Sequence, residues 1–411
     1  MAGLPEGARA STHILTNGDL RSAIAAAAPG DVLHLPPGVY DGQVVIDKPL
    51  VVEGEPGAVV EGTGTGSVIR IEAAGVTVRG LTIRKSGIVG ADIDAGIYVD
   101  QKADDALIEN NRIEDNLFGI ALHGSRNVRV LSNRIRNASE VWLNERGDGM
   151  HVWSTKGALI EGNTFEAGRD GIFITSANGN IIRANRFHGV RFAVHYMWAN
   201  RNEITDNVSV GNHVGYALMY SDGLKVLRNV SINDEQHGLM FHTSHKSDVA
   251  FNVVKGTHDK GAFIYTATGN TIHDNRFEGC GIGMHFSGGS ESNTLHGNAF
   301  VDNKTQVKYT GTVFYEWSKG GRGNFWSGNP AFDLNGDRVA DVAYRPNTLM
   351  DVVVWKYPLA KLLLSSPAME TLRYAQARFP ALYPGGVVDS FPLMESPVSP
   401  VAIPTWAEDR S

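Results

Sequence analysis

The sequence predicts an all-β protein that folds as a single parallel β-helix, and a recurring asparagine is the first reason. It returns at steps of 22, 30, 22, 22, 22, 23, 23 and 23 residues. These asparagines are Asn111, Asn133, Asn163, Asn185, Asn207, Asn229, Asn252, Asn275 and Asn298. Three residues before each of them stands an apolar residue, from Ile108 to Leu295. A fixed period without helical spacing indicates a solenoid of repeated rungs, each rung being one full turn of the chain.

The composition of the rungs excludes the other common solenoid with this period. Leucine-rich repeats need several leucines per repeat, which these units lack. Short β-branched runs favour a parallel β-helix, whose neighbouring rungs lie about 4.8 Å apart. At that spacing, asparagine side chains can hydrogen-bond to one another along the axis, which explains why asparagine recurs at one position.

Three segments follow from the pattern. Residues 1–30 are an N-terminal segment with an amphipathic helix over residues 18–28, which closes the exposed apolar end of the solenoid. Residues 31–310 form the β-helix. Residues 311–411 form a C-terminal extension in which residues 355–381 are predicted to be helical, either as a second cap or as a binding segment for a partner.

Several irregular stretches have predictable roles. The tail after Pro384 is rich in proline and is predicted to be extended or disordered. Leu81 occupies the ladder position in the early rungs, which therefore stack without asparagine. Insertions at Ser86–Ala95 and Asn137–Gly147 interrupt the regular rungs. We expect both insertions to protrude as loops that lie near each other.

The composition excludes several classes of function and site. A formal net charge of −7 does not favour nucleic acid or an anionic membrane as partner. The single cysteine, Cys280, excludes an intrachain disulfide, and we expect a small buried residue here rather than a metal-binding thiolate. No apolar run is long enough to cross a membrane. The start has no basic region followed by an apolar one, as in a mature protein without its signal peptide.

The strand that opens each rung has an unusual outer face. Its second and fourth residues are apolar and belong to the interior, so its third and fifth residues point outward. At the third position stand Tyr98, Ala121, His151, Phe173, His195, Ala217, Met240, Phe263 and Gly283. At the fifth stand Asp100, His123, Trp153, Thr175, Met197, Met219, His242, Tyr265 and His285. A solvated strand face would carry threonine and charged residues instead.

This outer face leaves two interpretations open, a transient copper site and a covered hydrophobic surface. Neutral imidazole and thioether are soft ligands that suit Cu(I), and neither suits Ca²⁺ or Mg²⁺. We expect a continuous track of weak ligands formed by His195, Met197, Met219, Met240, His242 and His285. On spacing alone we favour the second interpretation, a hydrophobic face that the C-terminal segment or a partner covers, with methionine as filler.

Two acidic residues offer a different chemistry. Asp148 and Asp170 precede successive rung glycines and are expected to stack beside Arg169 and Arg191. Paired carboxylates can act as acid and base on a glycosidic bond, which would make the chain a carbohydrate-active or carbohydrate-binding β-helix. A structural pair at the turn, neutralised by arginine, is the alternative that we favour.

An acidic stretch in the extension resembles a calcium loop. Asp333, Asn335, Asp337 and Asp341 have the alternate spacing of oxygen ligands in such loops. The usual sixth-position glycine is replaced by Arg338, and the bidentate glutamate by Tyr344. The sequence leaves open a structural calcium site and a solvated turn.

Several runs of residues carry a family resemblance that extends from about Gly30 to Met394. They are Arg191–Met197, Gly211–Tyr220, His237–Met240, Phe277–Phe286, Thr305–Tyr309 and Gly385–Ser390. With these runs the chain resembles the NosD family. NosD proteins are periplasmic maturation factors for the copper sites of nitrous oxide reductase, and their fold is a right-handed parallel β-helix of the pectate-lyase-like type shared with carbohydrate-active proteins.

The resemblance implies a non-catalytic role in copper transfer or docking during denitrification. The implied partners are the membrane subunit of an ABC transporter with its ATPase, a copper-chaperone lipoprotein and nitrous oxide reductase. ATPase activity would belong to a partner, and the chain would be peripheral to the membrane. A carbohydrate-active protein that uses Asp148 and Asp170, and a structural adaptor without metal, are the two alternative functions.

Overall fold

The computed structural model confirms the parallel β-helix and describes most of the chain. The described residues are 10–15, 18–137, 142, 145–309, 311, 313–363, 366–379, 385–402 and 404–408. Two compact units are found, Met1–Ala217 (unit 1) and Leu218–Ser411 (unit 2). In both units the rungs supply short strands to three parallel sheets, which we call sheets 1, 2 and 3. The predicted segment boundaries at residues 30 and 310 stay predictions.

Unit 1 contains parallel strands of all three sheets, and the strand Val214–Met219 is divided between the units. Sheet 1 has Val44–Ile46, Ile69–Ile71, Ala95–Val99, Phe118–His123, Met150–Trp153, Asp170–Thr175 and Phe192–Met197. Sheet 2 has Thr12–Ile14, Val32–Leu35, Val51–Gly54, Thr77–Arg79, Leu107–Glu109, Arg129–Leu131, Leu159–Glu161, Ile181–Arg183 and Glu203–Thr205. Sheet 3 has Gly38–Asp41, Ala58–Glu61, Thr82–Arg84, Arg112–Glu114, Arg134–Arg136, Thr164–Glu166, Arg186–His188 and Val208–Val210.

Unit 2 repeats the arrangement with fewer rungs. Sheet 1 has His237–His242, Lys260–Tyr265, Ile282–Phe286 and Thr305–Tyr309. Sheet 2 has Lys225–Leu227, Asp248–Ala250, Thr271–His273 and Thr294–His296. Sheet 3 has Val230–Ile232, Val253–Lys255, Arg276–Glu278, Ala299–Val301 and Phe325–Trp326. A separate pair joins Phe314–Glu316 to Gly386–Val388.

The predicted N-terminal helix is present and covers Leu20–Ala26. It begins after Asp19, whose carboxylate accepts a hydrogen bond from the Ser22 backbone N–H. Leu20 and Ile24 are buried on one side, as the amphipathic pattern predicted. Burial of this face supports the capping role of the helix in unit 1.

A sharp bend between sheets 2 and 3 positions each ladder asparagine. Ala184, just before Asn185, has a left-handed backbone with φ of 54°, which costs on the order of 1 kcal/mol for a residue other than glycine. The buried Asn185 donates from Nδ2 to Asn207 Oδ1 at 3.0 Å and to the Ile160 carbonyl at 2.9 Å. Its Oδ1 accepts from the Asn163 backbone N–H at 2.9 Å. The same side-chain bond joins Asn111 to Asn133, Asn133 to Asn163, and Asn163 to Asn185.

The predicted ladder is confirmed in unit 2 as well, and it is longer than the period indicated. Side-chain bonds of 2.9–3.0 Å join Asn229, Asn252, Asn275 and Asn298. Asn298 then donates to Asn324 Oδ1 at 2.9 Å, although Asn324 stands 26 residues later. Stacked asparagines therefore continue where the sequence repeat has failed.

A second asparagine row, which the sequence analysis missed, lies at the corner between sheets 1 and 2. In unit 1, Asn180 Nδ2 donates to Asn202 Oδ1 at 3.2 Å. In unit 2, Asn270 Nδ2 donates to Asn293 Oδ1 at 3.0 Å. These two corners of the rung thus use the same chemistry.

The C-terminal tail closes the ladder of unit 2. The strand Gly386–Val388 is followed by Asp389, which is fully buried. Asp389 Oδ2 accepts from the Asn324 backbone N–H at 2.7 Å and from Trp326 Nε1 at 2.8 Å. Burial raises the pKa of Asp389 to about 6. The tail after Pro384 was predicted to be extended or disordered, and this part of it is an extended strand with a buried end.

The helices of the extension begin earlier than predicted. They are Leu349–Lys356, the 3-10 helix Pro358–Leu363, Pro367–Arg378 and the short helix Thr405–Glu408. The first begins after Thr348 because Thr348 and Asp351 form a capping box. Residues 364, 365, 380 and 381 of the predicted helical stretch lie outside the described residues.

The two insertions attach to the same residue of unit 1. Ser86 Oγ accepts a hydrogen bond from the Leu117 backbone N–H at 2.9 Å. Asn137 Nδ2 donates to the Leu117 carbonyl at 3.0 Å. The expectation that the insertions lie near each other is therefore confirmed for their described ends, whereas residues 138–141, 143 and 144 lie outside the described part.

Replacing Asn185 with alanine should lower the free energy of unfolding by about 3 kcal/mol, because buried N–H and C=O groups of the neighbouring rungs lose their partners. Urea unfolding followed by circular dichroism measures the change. Arg183→Ala is the control, since Arg183 lies on the same rung as Asn185 and makes an exposed ion pair with Glu161 of the neighbouring rung. Loss of this ion pair should change stability by at most about 0.5 kcal/mol. Equal losses in the two variants would contradict a supporting role for the ladder.

Asp389→Asn should change how stability depends on pH. The folded-state pKa of Asp389 is raised to about 6 from 3.8, so the protonated group stabilises the fold fully below about pH 3.8, and this contribution is lost as the pH rises through about 6. Between pH 4 and 7 the wild type should lose on the order of 3 kcal/mol relative to the variant. Unfolding curves of both proteins across this range provide the measurement, and a constant difference between them would disprove the titration.

Candidate metal-binding face

The outward orientation of the predicted copper ligands is confirmed for the strand His237–His242. Leu239 and Phe241 are buried inside unit 2, whereas Met240 and His242 are partly exposed. The alternation follows from the two-residue period of a strand. These two side chains are therefore outside the packed interior.

The structure brings three soft ligands together in unit 2, and we call Met219, Met240 and His242 the soft-donor cluster. The backbone N–H of Tyr220 donates to the His242 carbonyl at 2.9 Å, which places Met219 beside His242 on adjacent rungs, about 4.8 Å away. Met240 lies two residues before His242 on the same face of its strand, about 6.6 Å away along the backbone. Two thioethers and one imidazole therefore share one patch.

Aromatic rings flank the imidazole of this cluster. The centroid of His242 lies 5.2 Å from that of Tyr220 and 5.0 Å from that of Tyr265. In the described part of the chain, no hydrogen bond engages the His242 ring nitrogens. The ring is thus held by packing, which leaves a nitrogen lone pair for a ligand.

His285 lies two rungs beyond Met240, with Phe263 between them. Phe263 pairs with Met240 on one side and with His285 on the other. Burial, then Lys308 and Lys260, lowers the pKa of His285 to about 4, so its imidazole is neutral. Its Nδ1 is buried and has no hydrogen-bond partner. His285 offers a neutral nitrogen ligand apart from the cluster.

His195 and Met197 belong to unit 1, on the strand Phe192–Met197. His195 Nδ1 lies 2.9 Å from Asp170 Oδ2, and Arg191 binds both oxygens of that carboxylate at 2.8 and 2.7 Å. Burial raises the pKa of Asp170, but the hydrogen bonds from His195 and Arg191 outweigh it and hold the pKa below its ordinary value. A track that joins these two ligands to those of unit 2 stays a prediction.

The paired aspartates are not placed for work on a sugar. Asp148 and Asp170 are both fully buried. Arg169 binds both oxygens of Asp148 at 3.0 Å, just as Arg191 binds Asp170. A glycosidic acid or base must reach its substrate, and these carboxylates instead form ion pairs at the corner of the rung.

The sequence analysis did not select His123 and His151 as ligands, although both stand at outward positions in unit 1. His151 Nδ1 lies 3.2 Å from Asp148 Oδ2. His123 stacks on Trp153 with ring centroids 4.2 Å apart. Burial and the nearby His151 lower the pKa of His123. Two histidines at outward positions of adjacent rungs were visible in the sequence. They were not chosen as ligands because the methionines of later rungs suggested a copper site there.

The acidic stretch that resembles a calcium loop uses several of its oxygens within its own turn. Asp333 accepts hydrogen bonds from the backbone N–H groups of Gly336 and Arg338, and Asp337 accepts one from Val339. The oxygens thus serve the backbone of the turn. Among the described residues, no group of three or more His, Cys, Asp or Glu side chains is arranged to hold a metal ion. Calcium binding by this stretch stays a prediction.

Cys280 is a buried small residue, as expected. Burial raises the pKa of its thiol to about 11. Its Sγ lies 3.5 Å from the Glu278 carbonyl. The thiol therefore stays protonated and is a poor metal ligand.

The helices of the extension expose large apolar side chains. They are Tyr357, Leu359, Leu362, Leu363, Tyr374 and Phe379, and Leu359 and Leu362 are 82% and 83% exposed. Lys308, beside His285 on sheet 1, lies 6.0 Å from the ring centroid of Trp355 on the first of these helices. Within the described ranges, no helix is long and apolar enough to cross a membrane.

Comparisons with known proteins point to one family. Residues 133–330 match a family described as periplasmic copper-binding protein (NosD), and residues 55–152 match a right-handed β-helix region. The chain is 44% identical over 375 residues to the "probable ABC transporter binding protein NosD" of Pseudomonas aeruginosa, over 88% of both chains. It is 43% identical over 378 residues to the protein of the same name from Stutzerimonas stutzeri, over 89% of this chain and 87% of that one.

Solved structures resemble the chain in fold alone. The Dettilon tailspike protein gives a TM-score of 0.55 at 16% identity, over 73% of this chain and 65% of that one. The A-module of mannuronan C-5 epimerase AlgE4 from Azotobacter vinelandii gives 0.53 at 15% identity, over 76% and 94%. A fold shared at such low identity carries no function with it.

Proposed function

This chain belongs to the NosD family, and we propose that it is a non-catalytic periplasmic component that binds copper as cargo and docks on an ABC transporter. The family description supports copper and the periplasm, and the name of the relatives supports the transporter. The resemblance seen in the sequence extends the role to maturation of the copper sites of nitrous oxide reductase. A copper-chaperone lipoprotein would be a further partner.

The soft-donor cluster is the observation that carries this proposal. Thioether and imidazole ligands favour Cu(I) over hard cations. Met219, Met240 and His242 lie on a partly exposed face, so a bound ion keeps an open side toward a recipient protein. His285, neutral and two rungs from Met240, supplies a further weak ligand along the same face. An open site of few ligands suits transfer better than a closed one.

The extension supplies the surface for the transporter. Its exposed leucines, Leu359 and Leu362, form an apolar patch of a kind that marks binding sites for partners. Lys356 and Lys361 stand beside this patch, in the last turns of their helices. We assign this patch to the membrane subunit of the transporter, whose ATPase lies on the other side of the membrane.

When Met197, Met219, Met240 and His242 are all replaced with threonine, the protein should no longer bind copper through sulphur ligands. The fold should persist, because these side chains lie outside the packed interior and threonine suits a strand. Anaerobic Cu(I) titration against a chromophoric chelator, with X-ray absorption spectroscopy, measures binding and ligand type. Phe263→Thr, on the same face, is the control and should keep sulphur-bound copper. Retention of copper–sulphur scattering in the fourfold variant would refute the cluster.

Replacing Leu359, Leu362 and Leu363 with serine should weaken binding to the purified transporter at least tenfold, because the apolar contact is lost. Unfolding should be unchanged, since all three side chains are exposed. Binding to the transporter in detergent micelles, followed by biolayer interferometry, provides the measurement. Leu334→Ser is the matched control, because Leu334 is 84% exposed in unit 2 but outside the helices. Equal binding by the two variants would show that these helices are not part of the interface with the transporter.

A further inference from the structure

Two histidines of unit 1 lie close together on the outer face of sheet 1. Ala121 pairs with His151, and His123 pairs with Trp153, on adjacent strands. His123 and His151 are therefore diagonal neighbours, with Cα atoms about 8 Å apart for a strand spacing of about 4.8 Å and two residue rises. Two imidazoles that turn toward each other can bridge that distance through one ion.

A buried carboxylate fixes the orientation of His151. Asp148, fully buried, binds Arg169 through both oxygens, and its Oδ2 lies 3.2 Å from His151 Nδ1. Because both oxygens of Asp148 accept from Arg169, its Oδ2 also accepts from His151, which donates from Nδ1 and keeps the lone pair on Nε2. Metal-binding histidines usually donate a hydrogen bond, often to a carboxylate, from the ring nitrogen that does not bind the metal.

Stacking rather than hydrogen bonding orients His123. Its ring lies 4.2 Å from that of Trp153 at an interplanar angle of 23°, and 5.7 Å from that of Tyr98. No hydrogen bond to either nitrogen of His123 is present in the described part of the chain. The ring is held in place while both nitrogens remain able to bind.

The space between the two histidines is small and walled by apolar groups. Ala121, the residue between them on the face, is 1% exposed and carries only a methyl group. Tyr98 and Phe118 pack with Ala121 in an apolar cluster outside the sheet, and Phe118 lies edge-on to His151 at 5.7 Å. Two carboxylates are nearby, and each is paired with an arginine: Asp148 with Arg169, and Asp100 with Arg70.

We propose that His123 and His151 form a second binding site for Cu(I), with two nitrogen ligands and no sulphur. A two-coordinate site suits a soft monovalent ion and leaves hard cations unbound. That the cargo is copper rests on the proposed function, whereas the pair of ligands rests on geometry in unit 1. The nearby His195 also contacts a buried aspartate, Asp170, through Nδ1. Its diagonal neighbour on the preceding strand is Thr175, however, whereas the diagonal neighbour of His151 is His123.

The test uses the full-length fourfold threonine variant as background, because it lacks the soft-donor cluster. We expect this variant to retain Cu(I) with nitrogen scatterers alone in X-ray absorption spectra. Adding either His123→Phe or His151→Phe should weaken the remaining binding at least a hundredfold, since both ligands are needed. Phenylalanine keeps the aromatic packing, and thermal unfolding checks that each variant folds.

Two further substitutions in the same background serve as controls. His188→Phe on sheet 3 and His273→Phe on sheet 2 remove single histidines that belong to neither copper site, and should leave the remaining copper bound. Loss of copper in either control, or its survival in His123→Phe or His151→Phe, would overturn the two-histidine site. A background variant without any copper would overturn this inference alone, whereas sulphur-bound copper in that background would overturn the soft-donor cluster alone.

Discussion

The left-handed bend before each ladder asparagine is the constraint on which the rest of the structure depends. At Ala184 or Asp206, a residue with a Cβ adopts a backbone that only glycine adopts readily. The bend turns the chain from sheet 2 to sheet 3 within one residue and leaves backbone groups without sheet partners. Asparagine satisfies them because its amide both donates and accepts, toward the rungs on both sides. Without that exchange, the corner would bury unpaired polar groups.

A corner repeated at this spacing makes the outer face of sheet 1 a regular array of side chains. Residues at equivalent positions of adjacent rungs lie about 4.8 Å apart, and residues two apart on one strand about 6.6 Å. Those are distances over which imidazole and thioether groups can share an ion. The backbone thus fixes where ligands stand, and substitutions at outward positions set the chemistry without disturbing the core.

Features that recur in every rung were predicted from the sequence, whereas single contacts between distant residues were missed. The ladder, the inward apolar residues and the outward position of Met240 and His242 follow from period alone. Asn324 was missed because it follows its predecessor by 26 residues, and Asp389 because its contact with Asn324 spans 65 residues. The bond between Asp148 and His151 was missed because Asp148 was considered only with Asp170, and His151 only as an outward residue of its strand. Spacing in Asp333–Asp341 suggested calcium, yet spacing does not reveal that backbone N–H groups occupy the oxygens.

The helices with the exposed leucines are not a free tail. They lie in the chain between Trp326 and Asp389, and these two residues are joined by a hydrogen bond of 2.8 Å. The intervening segment is therefore a loop closed at both ends on the last rung of unit 2. A partner that pulls on this loop transmits force to that rung, next to the final strand of sheet 1. Mechanical work done on this loop thereby reaches the last rung, a coupling that a terminal tail anchored at one end cannot provide.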